Sequence, residues 1–160
     1  MTRPTIRPMT AAEQQAYAAT VADGYFRQRF EFGNEPEHVA RAHTAEAMDR
    51  LWPGGRPAPG NYVFAAEVDG VVVGSLWLAE QSPGGPEDQG WIYDVQVVPD
   101  QRGKGYGRAL VQAAEAKAGE FGCTALGLNV FGGNEIAISL YQSLGFQATS
   151  IQMAKQLVTD

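Results

Sequence analysis

The spacing of apolar and polar residues divides the chain into segments with helical periodicity and segments with strand periodicity. Two segments near the start have helical spacing, 10–30 and 36–51. Thr10 and Glu13 are placed as a capping box that starts the first helix, and Gly24 is expected to bend or end it. The prolines and glycines of residues 53–60 predict a loop, because such a stretch cannot form a regular element.

Beyond residue 60, strand and helix patterns alternate. Strands are predicted at 61–68, 71–80, 90–98, 124–131 and 146–157. Helices are predicted at 105–121 and 134–144, and Asn134 is placed to cap the second one. Asp69-Gly70 is a hairpin signal between the first two of these strands. This order predicts one α/β (α+β) domain over residues 1–160, with a mixed sheet.

A glycine-rich turn lies between a predicted strand and a predicted helix, Arg102-Gly103-Lys104-Gly105-Tyr106-Gly107. The first N–H groups of a helix lack internal partners and lie at its positive end, and glycines let the backbone wrap closely around a ligand. The turn therefore indicates an anion site suited to phosphate, with a tight turn that binds nothing as the alternative. Its spacing fits neither a P-loop nor a Rossmann fingerprint. Arg108 either adds charge for the phosphates or is an ordinary solvated arginine.

A second segment of interest runs from Asn134 to Phe146. Asn134 and Tyr141 are seven residues apart, which is two helical turns, so they lie on one face of the predicted helix. Tyr141 also lies beside the apolar stripe of that helix. By itself, such a tyrosine is more typical of a core or rim position than of a catalytic one.

Together, the two segments resemble the GNAT superfamily of N-acetyltransferases. The turn is similar to the family's Arg/Gln-x-x-Gly-x-Gly/Ala motif, and residues 134–146 are similar to its Asn-x-x-Ala-x-x-Leu-Tyr-x-x-x-Gly-Phe pattern. The resemblance implies a single GNAT-like domain with a mixed, mostly antiparallel central sheet, a splayed parallel pair of strands and helices on both faces. It further implies transfer of an acetyl group from acetyl-CoA to a primary amine of a small molecule or peptide, by direct attack through a tetrahedral intermediate.

The resemblance also implies roles for individual residues. The strand before the turn would carry a bulge, and the backbone of Val95, Gln96 and Val97 would bind the pantetheine arm of CoA. The pyrophosphate would be bound by the turn and the start of the helix, namely Arg102, Gly103, Lys104, Gly105, Tyr106, Gly107 and Arg108. Asn134 would contact the pantetheine arm, and Tyr141 would protonate the leaving CoA thiolate.

The base that removes a proton from the amine is not part of the family motifs. Asp94 directly precedes the expected pantetheine segment, and Glu80 lies near the end of the preceding strand. Either carboxylate can act directly or through water, and we take Asp94 as the catalytic candidate. The alternative for each is an ordinary solvated or paired carboxylate.

Composition and charge limit the classes of partner that the protein is expected to bind. Lys and Arg number 12 against 18 Asp and Glu, so the formal net charge is −6. Binding of nucleic acid through its phosphates is therefore not expected. An acidic surface either attracts a cationic substrate or only keeps the domain soluble. The apolar runs are of strand length, so no membrane span is expected, and the single cysteine and the start of the chain favour a cytoplasmic protein.

Some alternatives stay open at this point. His38 and His43 do not have the spacing of a helical metal pair, and we expect no metal site. A non-catalytic module that binds acyl-CoA, or an acyltransferase that uses another acyl-CoA or a hydroxyl acceptor, has the same two segments. In GNAT proteins the region that corresponds to the first 60 residues shapes the acceptor pocket. A homodimer is compatible with the resemblance.

Overall fold

The computed structural model describes residues 2–158, and a five-stranded sheet forms its centre. The strands are β1 (Thr5–Pro8), β2 (Asn61–Val68), β3 (Val71–Ala79), β4 (Gln89–Val97) and β5 (Ala125–Leu128). The helices are α1 (Ala11–Glu31), α2 (Glu37–Leu51), α3 (Tyr106–Glu120) and α4 (Glu135–Ser143). Short 3₁₀ turns lie at Pro53–Gly55 and Pro99–Gln101.

The strands lie in the sheet in chain order, from β1 to β5. The first four are antiparallel to their neighbours, whereas β4 and β5 are parallel. The parallel pair needs a long crossover, and α3 supplies it. This arrangement confirms the expected mixed, mostly antiparallel sheet. The sequence pattern did not indicate β1, because four residues are too few to show a period, and pairing with β2 stabilises it.

Each face of the sheet is covered by two helices. On one face α3 and α4 pack on the larger core, where Leu110, Val111 and Ala114 of α3 are fully buried. On the other face α1 and α2 enclose a smaller, aromatic-rich core around Tyr17, Trp52, Val63 and Trp77. Because successive strand residues point to opposite faces, one strand contributes to both cores.

The helix boundaries follow the predicted signals closely. The hydroxyl of Thr10 accepts from the N–H of Glu13 at 3.2 Å, and the Glu13 carboxylate accepts from the N–H of Thr10 at 2.8 Å, which confirms the capping box. The helix does not end at Gly24, since α1 continues to Glu31. One glycine in a helix interior costs only about 1 kcal/mol, which the packing of a helix this long offsets.

The predicted strand at 146–157 is wrong. Residues 146–158 form neither helix nor strand, and the side chains beyond Phe146 are exposed. The strand predicted at 124–131 is shorter, with β5 ending at Leu128. Alternation of apolar residues gives a segment its preference for a strand, but a strand also requires a neighbour with which its backbone can pair. In residues 2–158, no helix has the length and apolar character needed to cross a membrane.

Candidate functional site

The glycine-rich turn presents a row of free backbone donors. Gly103 and Gly105 have φ values of 78° and 81°, a left-handed conformation that glycine adopts without strain. Gly105 caps α3, and the first bond of the helix is the N–H of Ala109 to the carbonyl of Gly105 at 3.2 Å. Within the described residues, the N–H groups from Gly103 to Arg108 donate to no protein acceptor. They form a positively polarised surface at the start of α3.

Three basic side chains surround these donors, and each is positioned by a neutral group. Nε of Arg102 donates to the carbonyl of Val97 at 3.2 Å, and Nζ of Lys104 donates to the side-chain oxygen of Gln101 at 2.8 Å. Nη2 of Arg108 donates to the hydroxyl of Ser143 at 2.7 Å, which connects the start of α3 to the end of α4. None of the three forms an ion pair in residues 2–158, so their charge is available to an anion.

A bulge divides β4 into a first part that pairs with β3 and β5 and a last part that pairs with β3 alone. Trp77 of β3 lies opposite Asp94 and Leu78 lies opposite Ile92, so Tyr93 is the extra residue. On the other side, β5 pairs with β4 only from Gln89 to Ile92. The two parallel strands therefore separate directly after the bulge, and one edge of the last part of β4 has no strand beside it.

The open edge offers the backbone of two valines. The N–H of Val98 donates to the carbonyl of Val73 on β3 at 2.9 Å. Because backbone direction alternates along an antiparallel pair, the backbone groups of Gln96 also face β3, and those of Val95 and Val97 face the open side. Arg102 reaches the carbonyl of Val97 from that side, so the N–H of Val97 and the polar groups of Val95 remain available.

Helix α4 packs close to the start of α3 and to the end of β4. Oδ1 of Asn134 accepts from the N–H of Ala137 at 3.3 Å and caps α4. A Cβ at Gly107 would lie 3.5 Å from Cδ2 of Leu140 and 3.9 Å from Cγ2 of Val97, so α3, α4 and β4 approach closely here. Tyr141 directly follows Leu140 in α4.

Tyr141 is partly buried against the larger core, and its ring contacts that of Phe146 edge-on, with centroids 5.7 Å apart. Loss of water around the hydroxyl raises the pKa of Tyr141, and the negative charge of Asp94 raises it further. Tyr141 is therefore protonated at neutral pH and can act as a proton donor.

Asp94 forms a short hydrogen bond with a buried tyrosine of α1. The hydroxyl of Tyr17 donates to Oδ2 of Asp94 at 2.6 Å. Burial raises the pKa of Asp94 from 3.8 to about 6, although the hydrogen bonds from Tyr17 and Gln96 act in the opposite direction. The carboxylate is thus mainly ionised at pH 7 but accepts a proton far more readily than an exposed aspartate.

A cavity of about 210 Å³ lies between α1, α2 and the bulged strand, and Asp94 is part of its wall. Most of the remaining wall is apolar or aromatic, with rings from Tyr25, Trp77, Trp91, Tyr93 and Phe131. Trp77 also belongs to the aromatic core, whereas Trp52 lies in that core without lining the cavity. Arg29 in the wall is paired with Glu35 at 2.7 Å, and Arg50 contributes a cation that forms no ion pair in the described chain.

Glu80 lies away from this site. Its carboxylate accepts from the hydroxyl of Tyr62 at 2.6 Å, and the ring of Tyr62 packs on Phe121 at the end of α3. The glycine-rich turn is at the opposite end of the same helix. Of the two carboxylates considered from the sequence, only Asp94 borders the opening in the sheet.

The match to a family model agrees with this geometry. The model of the acetyltransferase (GNAT) family matches residues 22–146, which is most of the chain. The chain belongs to the GNAT family of acetyltransferases. The resemblance seen in the two sequence segments and the expected enzyme class are therefore confirmed.

Individual proteins agree with the assignment. The chain is 32% identical to the uncharacterized N-acetyltransferase YdgE of Bacillus subtilis (strain 168) over 154 residues, which is 96% of this chain and 98% of YdgE. The crystal structure of YycN from Bacillus subtilis has a TM-score of 0.88 at 27% identity and covers 98% of this chain and 99% of its own. A structure of AAC(6')-Iy with a bisubstrate CoA analogue has a TM-score of 0.60 at 19% identity, covers 99% of this chain and 100% of its own, and shows a shared fold.

Within this GNAT acetyltransferase, the structure brings together most of the residues predicted from sequence. The turn at the start of α3 lies close to the end of β4 and to α4, Asn134 caps α4, and the charge of Asp94 is near enough to Tyr141 to raise its pKa. Their roles remain predictions. Among the described residues, no group of three or more His, Cys, Asp or Glu side chains is arranged to hold a metal.

Sequence reasoning did not find Tyr17. It is buried in α1, and its hydroxyl lies against Asp94, 77 residues further along the chain. A buried tyrosine usually pairs its hydroxyl, so a tyrosine on the apolar stripe of α1 implied a polar partner. That signal does not identify the partner, because the partner belongs to another element.

Proposed function

We propose that this acetyltransferase transfers an acetyl group from acetyl-CoA to a primary amine of a small molecule or peptide. The observation that carries the proposal is the row of free N–H groups from Gly103 to Arg108 beside the open edge of β4. These donors suit a pyrophosphate, and the open strand edge suits the amide groups of a pantetheine arm. The fold neighbour AAC(6')-Iy is named in complex with CoA, which supports this choice of donor.

The residues present fit that donor. Arg102, Lys104 and Arg108 add positive charge around the turn without carboxylates to neutralise it. Val95 and Val97 would hold the arm through their backbone groups, and Asn134, which caps α4, would contact the same arm. When bound, acetyl-CoA supplies a thioester whose carbonyl carbon reacts with the amine. The free N–H of Val97 is the donor available to stabilise charge on the thioester oxygen.

Tyr141 is the proposed proton donor to the CoA sulfur. A CoA thiol has a pKa near that of cysteine, about 8.5, so its thiolate accepts a proton or hydrogen bond from a tyrosine hydroxyl. The raised pKa of Tyr141 keeps that hydroxyl protonated over the whole neutral range. Tyr141 directly follows Leu140, which approaches the start of α3 and the end of β4, and this supports a position near the bound sulfur.

Asp94 is the proposed base for the acceptor amine, directly or through water. A lysine-type amine with a pKa of about 10.4 is neutral in only about one molecule in two thousand at pH 7, which costs roughly 4–5 kcal/mol. A carboxylate with a pKa of about 6 reduces the difference between the pKa of the base and the pKa of the amine. Tyr17 acts as a positioning residue, because its hydroxyl holds one oxygen of Asp94.

The acceptor would enter the cavity bordered by Asp94. Its volume of about 210 Å³ equals that of roughly seven water molecules, so it accepts a small amine or the first residue of a peptide. Its aromatic wall favours an apolar body next to the amine. Arg50 lies in the cavity wall and could pair with a carboxylate. Amines that carry a carboxylate should therefore be compared with amines that lack one.

A thiol-release assay tests the proposal. Acetyl-CoA is incubated with the protein and a panel of polyamines, amino acids, aminoglycosides and peptides with free N-termini, each with its carboxylate free or blocked. We expect CoA release with at least one amine, and mass spectrometry should show the acetylated nitrogen. Tight binding of acetyl-CoA without release from any acceptor would instead favour a non-catalytic acyl-CoA module. Faster release from a longer acyl-CoA would favour a different donor.

A further inference from the structure

The wall of the cavity beside Asp94 contains charged groups of both signs. Over residues 2–158, its charged side chains are those of Asp94, Arg29 and Arg50. The guanidinium of Arg29 lies 2.7 Å from the carboxylate of Glu35, and each of these two side chains is only 21% exposed, so the charge of Arg29 is neutralised. One negative group, Asp94, and one positive group, Arg50, therefore remain for a ligand in the same cavity.

These two groups come from different layers of the fold. Asp94 belongs to the sheet, and the hydroxyl of Tyr17 donates to its carboxylate at 2.6 Å. Arg50 belongs to the last turn of α2, and its side chain is exposed. In the part of the chain that the structure describes, Arg50 forms no ion pair. A ligand between the sheet and α2 thus meets a carboxylate on one side and a guanidinium on the other.

The bulge in β4 brings the two charges into one wall. Neighbouring residues of a regular strand point to opposite faces, but Tyr93 is the extra residue of the bulge, and both Tyr93 and Asp94 line the cavity. The ring of Tyr93 stacks on that of Trp77, with centroids 4.5 Å apart, and Trp77 lies opposite Asp94 in the sheet. Burial raises the pKa of Tyr93, and the positive charge of Arg50 acts in the opposite direction. The charge of Arg50 therefore reaches the part of the wall that contains Asp94.

A zwitterion matches this arrangement of charge. An ammonium group is attracted to the carboxylate of Asp94, and a carboxylate can form two parallel hydrogen bonds with the planar guanidinium of Arg50. A second ammonium group, as in a diamine, would instead lie near the like charge of Arg50, which is unfavourable. The charges therefore favour an acceptor with one amine and one carboxylate over a polyamine.

The size and the remaining wall of the cavity limit the acceptor further. The volume of about 210 Å³ is below the roughly 300–1,000 Å³ of pockets for drug-sized ligands, so the ammonium and the carboxylate of a ligand must lie close together, as they do on one α-carbon. Most other wall residues are apolar or aromatic, and the uncharged polar ones include Gln28 and Asn129. An apolar side chain suits such a wall better than a charged one.

We propose that the acceptor is the α-amino group of a free amino acid with an apolar side chain, whose carboxylate pairs with Arg50 while its amine lies at Asp94. This inference rests on the proposed function, because it takes the cavity as the acceptor site. In the balanced reaction, an amino acid zwitterion and acetyl-CoA give an N-acetyl amino acid, CoA and one proton. The new N–C bond forms at the α-amino nitrogen, and the C–S bond of the thioester breaks.

Three acceptors test the inference, namely leucine, leucinamide and 1,5-diaminopentane. Leucinamide keeps the shape of leucine but has no carboxylate, and the diamine has a second ammonium group in its place. CoA release gives kcat/KM for each acceptor, expressed per neutral amine, because blocking the carboxylate also lowers the pKa of the amine. We expect kcat/KM for leucine to exceed that for each of the other two at least about tenfold.

Two matched variants assign that preference to one side chain, Arg50→Gln and Arg56→Gln. Both remove one positive charge from an exposed residue, but Arg56 does not line the cavity. In Arg50→Gln the ratio of kcat/KM for leucine to that for leucinamide should fall to about one, mainly through a higher KM for leucine. Arg56→Gln should keep the native ratio. Circular dichroism should be the same for both variants, since substitutions at such exposed positions change stability little.

The outcomes separate this inference from the proposed function. If the native enzyme acetylates leucinamide or the diamine as efficiently as leucine, the inference is overturned and the proposed function stands. A leucine preference that survives in Arg50→Gln, or that Arg56→Gln loses to the same extent, also overturns it, because the carboxylate is then recognised elsewhere. If no amine releases CoA, the proposed function fails and this inference fails with it.

Discussion

The proposed donor side and the proposed acceptor side of the site are built from different kinds of groups. On the donor side, the turn at Arg102–Gly107 and the end of β4 present backbone groups, and their positions follow from a continuous stretch of chain. On the acceptor side, a carboxylate from β4 and a hydroxyl from α1 meet through side chains that are 77 residues apart. A site built from backbone groups therefore depends on local conformation, whereas the proposed acceptor side depends on how the elements pack.

The largest effect is expected for Gly103→Val. Gly103 has φ of 78°, and no atom lies within 4 Å of the position that a Cβ would occupy there. The substitution therefore strains the turn and places a branched group beside the free N–H groups. Each charge-assisted hydrogen bond contributes about 1.5–3 kcal/mol, so the loss of two should lower acetyl-CoA affinity by about 1000-fold, measured by calorimetry.

Gly122→Val, at the other end of the same helix, is a control that separates the effect of backbone strain on stability from the effect on acetyl-CoA binding. Gly122 has φ of 85° and also has open space around it. Gly122→Val should therefore lower the melting temperature about as much as Gly103→Val but leave acetyl-CoA affinity unchanged. Equal losses of affinity in the two variants would show that the turn has no special role.

Tyr141→Phe tests the one side chain that we place at the sulfur. It removes the hydroxyl and keeps the ring that contacts Phe146. Loss of a general acid should lower turnover by about 100-fold, whereas the backbone groups proposed to bind CoA are untouched. We expect kcat to fall and the affinity for acetyl-CoA to stay within about twofold. Unchanged turnover would remove Tyr141 from the chemistry.

Asp94→Asn should separate function from stability. The pKa of Asp94 is about 6 in the folded protein against an ordinary value of 3.8, so the folded state binds this proton more tightly than the unfolded state. Its ionisation therefore lowers the free energy of unfolding as pH rises from about 4 to 6, by up to about 3 kcal/mol. We expect the amide to stabilise the protein at pH 7, to make little difference below pH 4, and to lower turnover at least tenfold. A structural pairing role alone would leave turnover intact.

The smallest effect is expected for Tyr17→Phe. The hydroxyl of Tyr17 holds the pKa of Asp94 down, so its removal should move that pKa above about 6. The acidic limb of the kcat/KM profile should then shift to higher pH, and activity should fall severalfold at pH 6 but little at pH 8. If the limb does not move, Asp94 is not the group that the profile reports.

The sequence was most informative where one segment contains all the determinants of a feature. The glycine spacing at 103, 105 and 107 predicted the start of α3 and its free donors, and the capping signal at Thr10 predicted the start of α1. It was misleading for residues 146–157, where the strand pattern is clear but the chain provides no partner. It also missed β1, which depends on the neighbouring β2 for its existence.

The order of most elements, the glycine-rich turn at the start of α3 and the family could be read from the sequence alone, because these depend on propensities and spacings within a few residues. Only the tertiary structure decided that Asp94 rather than Glu80 borders the opening, since Tyr17 and the bulge at Tyr93 direct Asp94 there. The structure also showed that β5 is an edge strand and that the C-terminal strand pattern is unpaired. Burial, long-range hydrogen bonds and the neighbours of a strand are properties of the packed chain, so no local pattern specifies them.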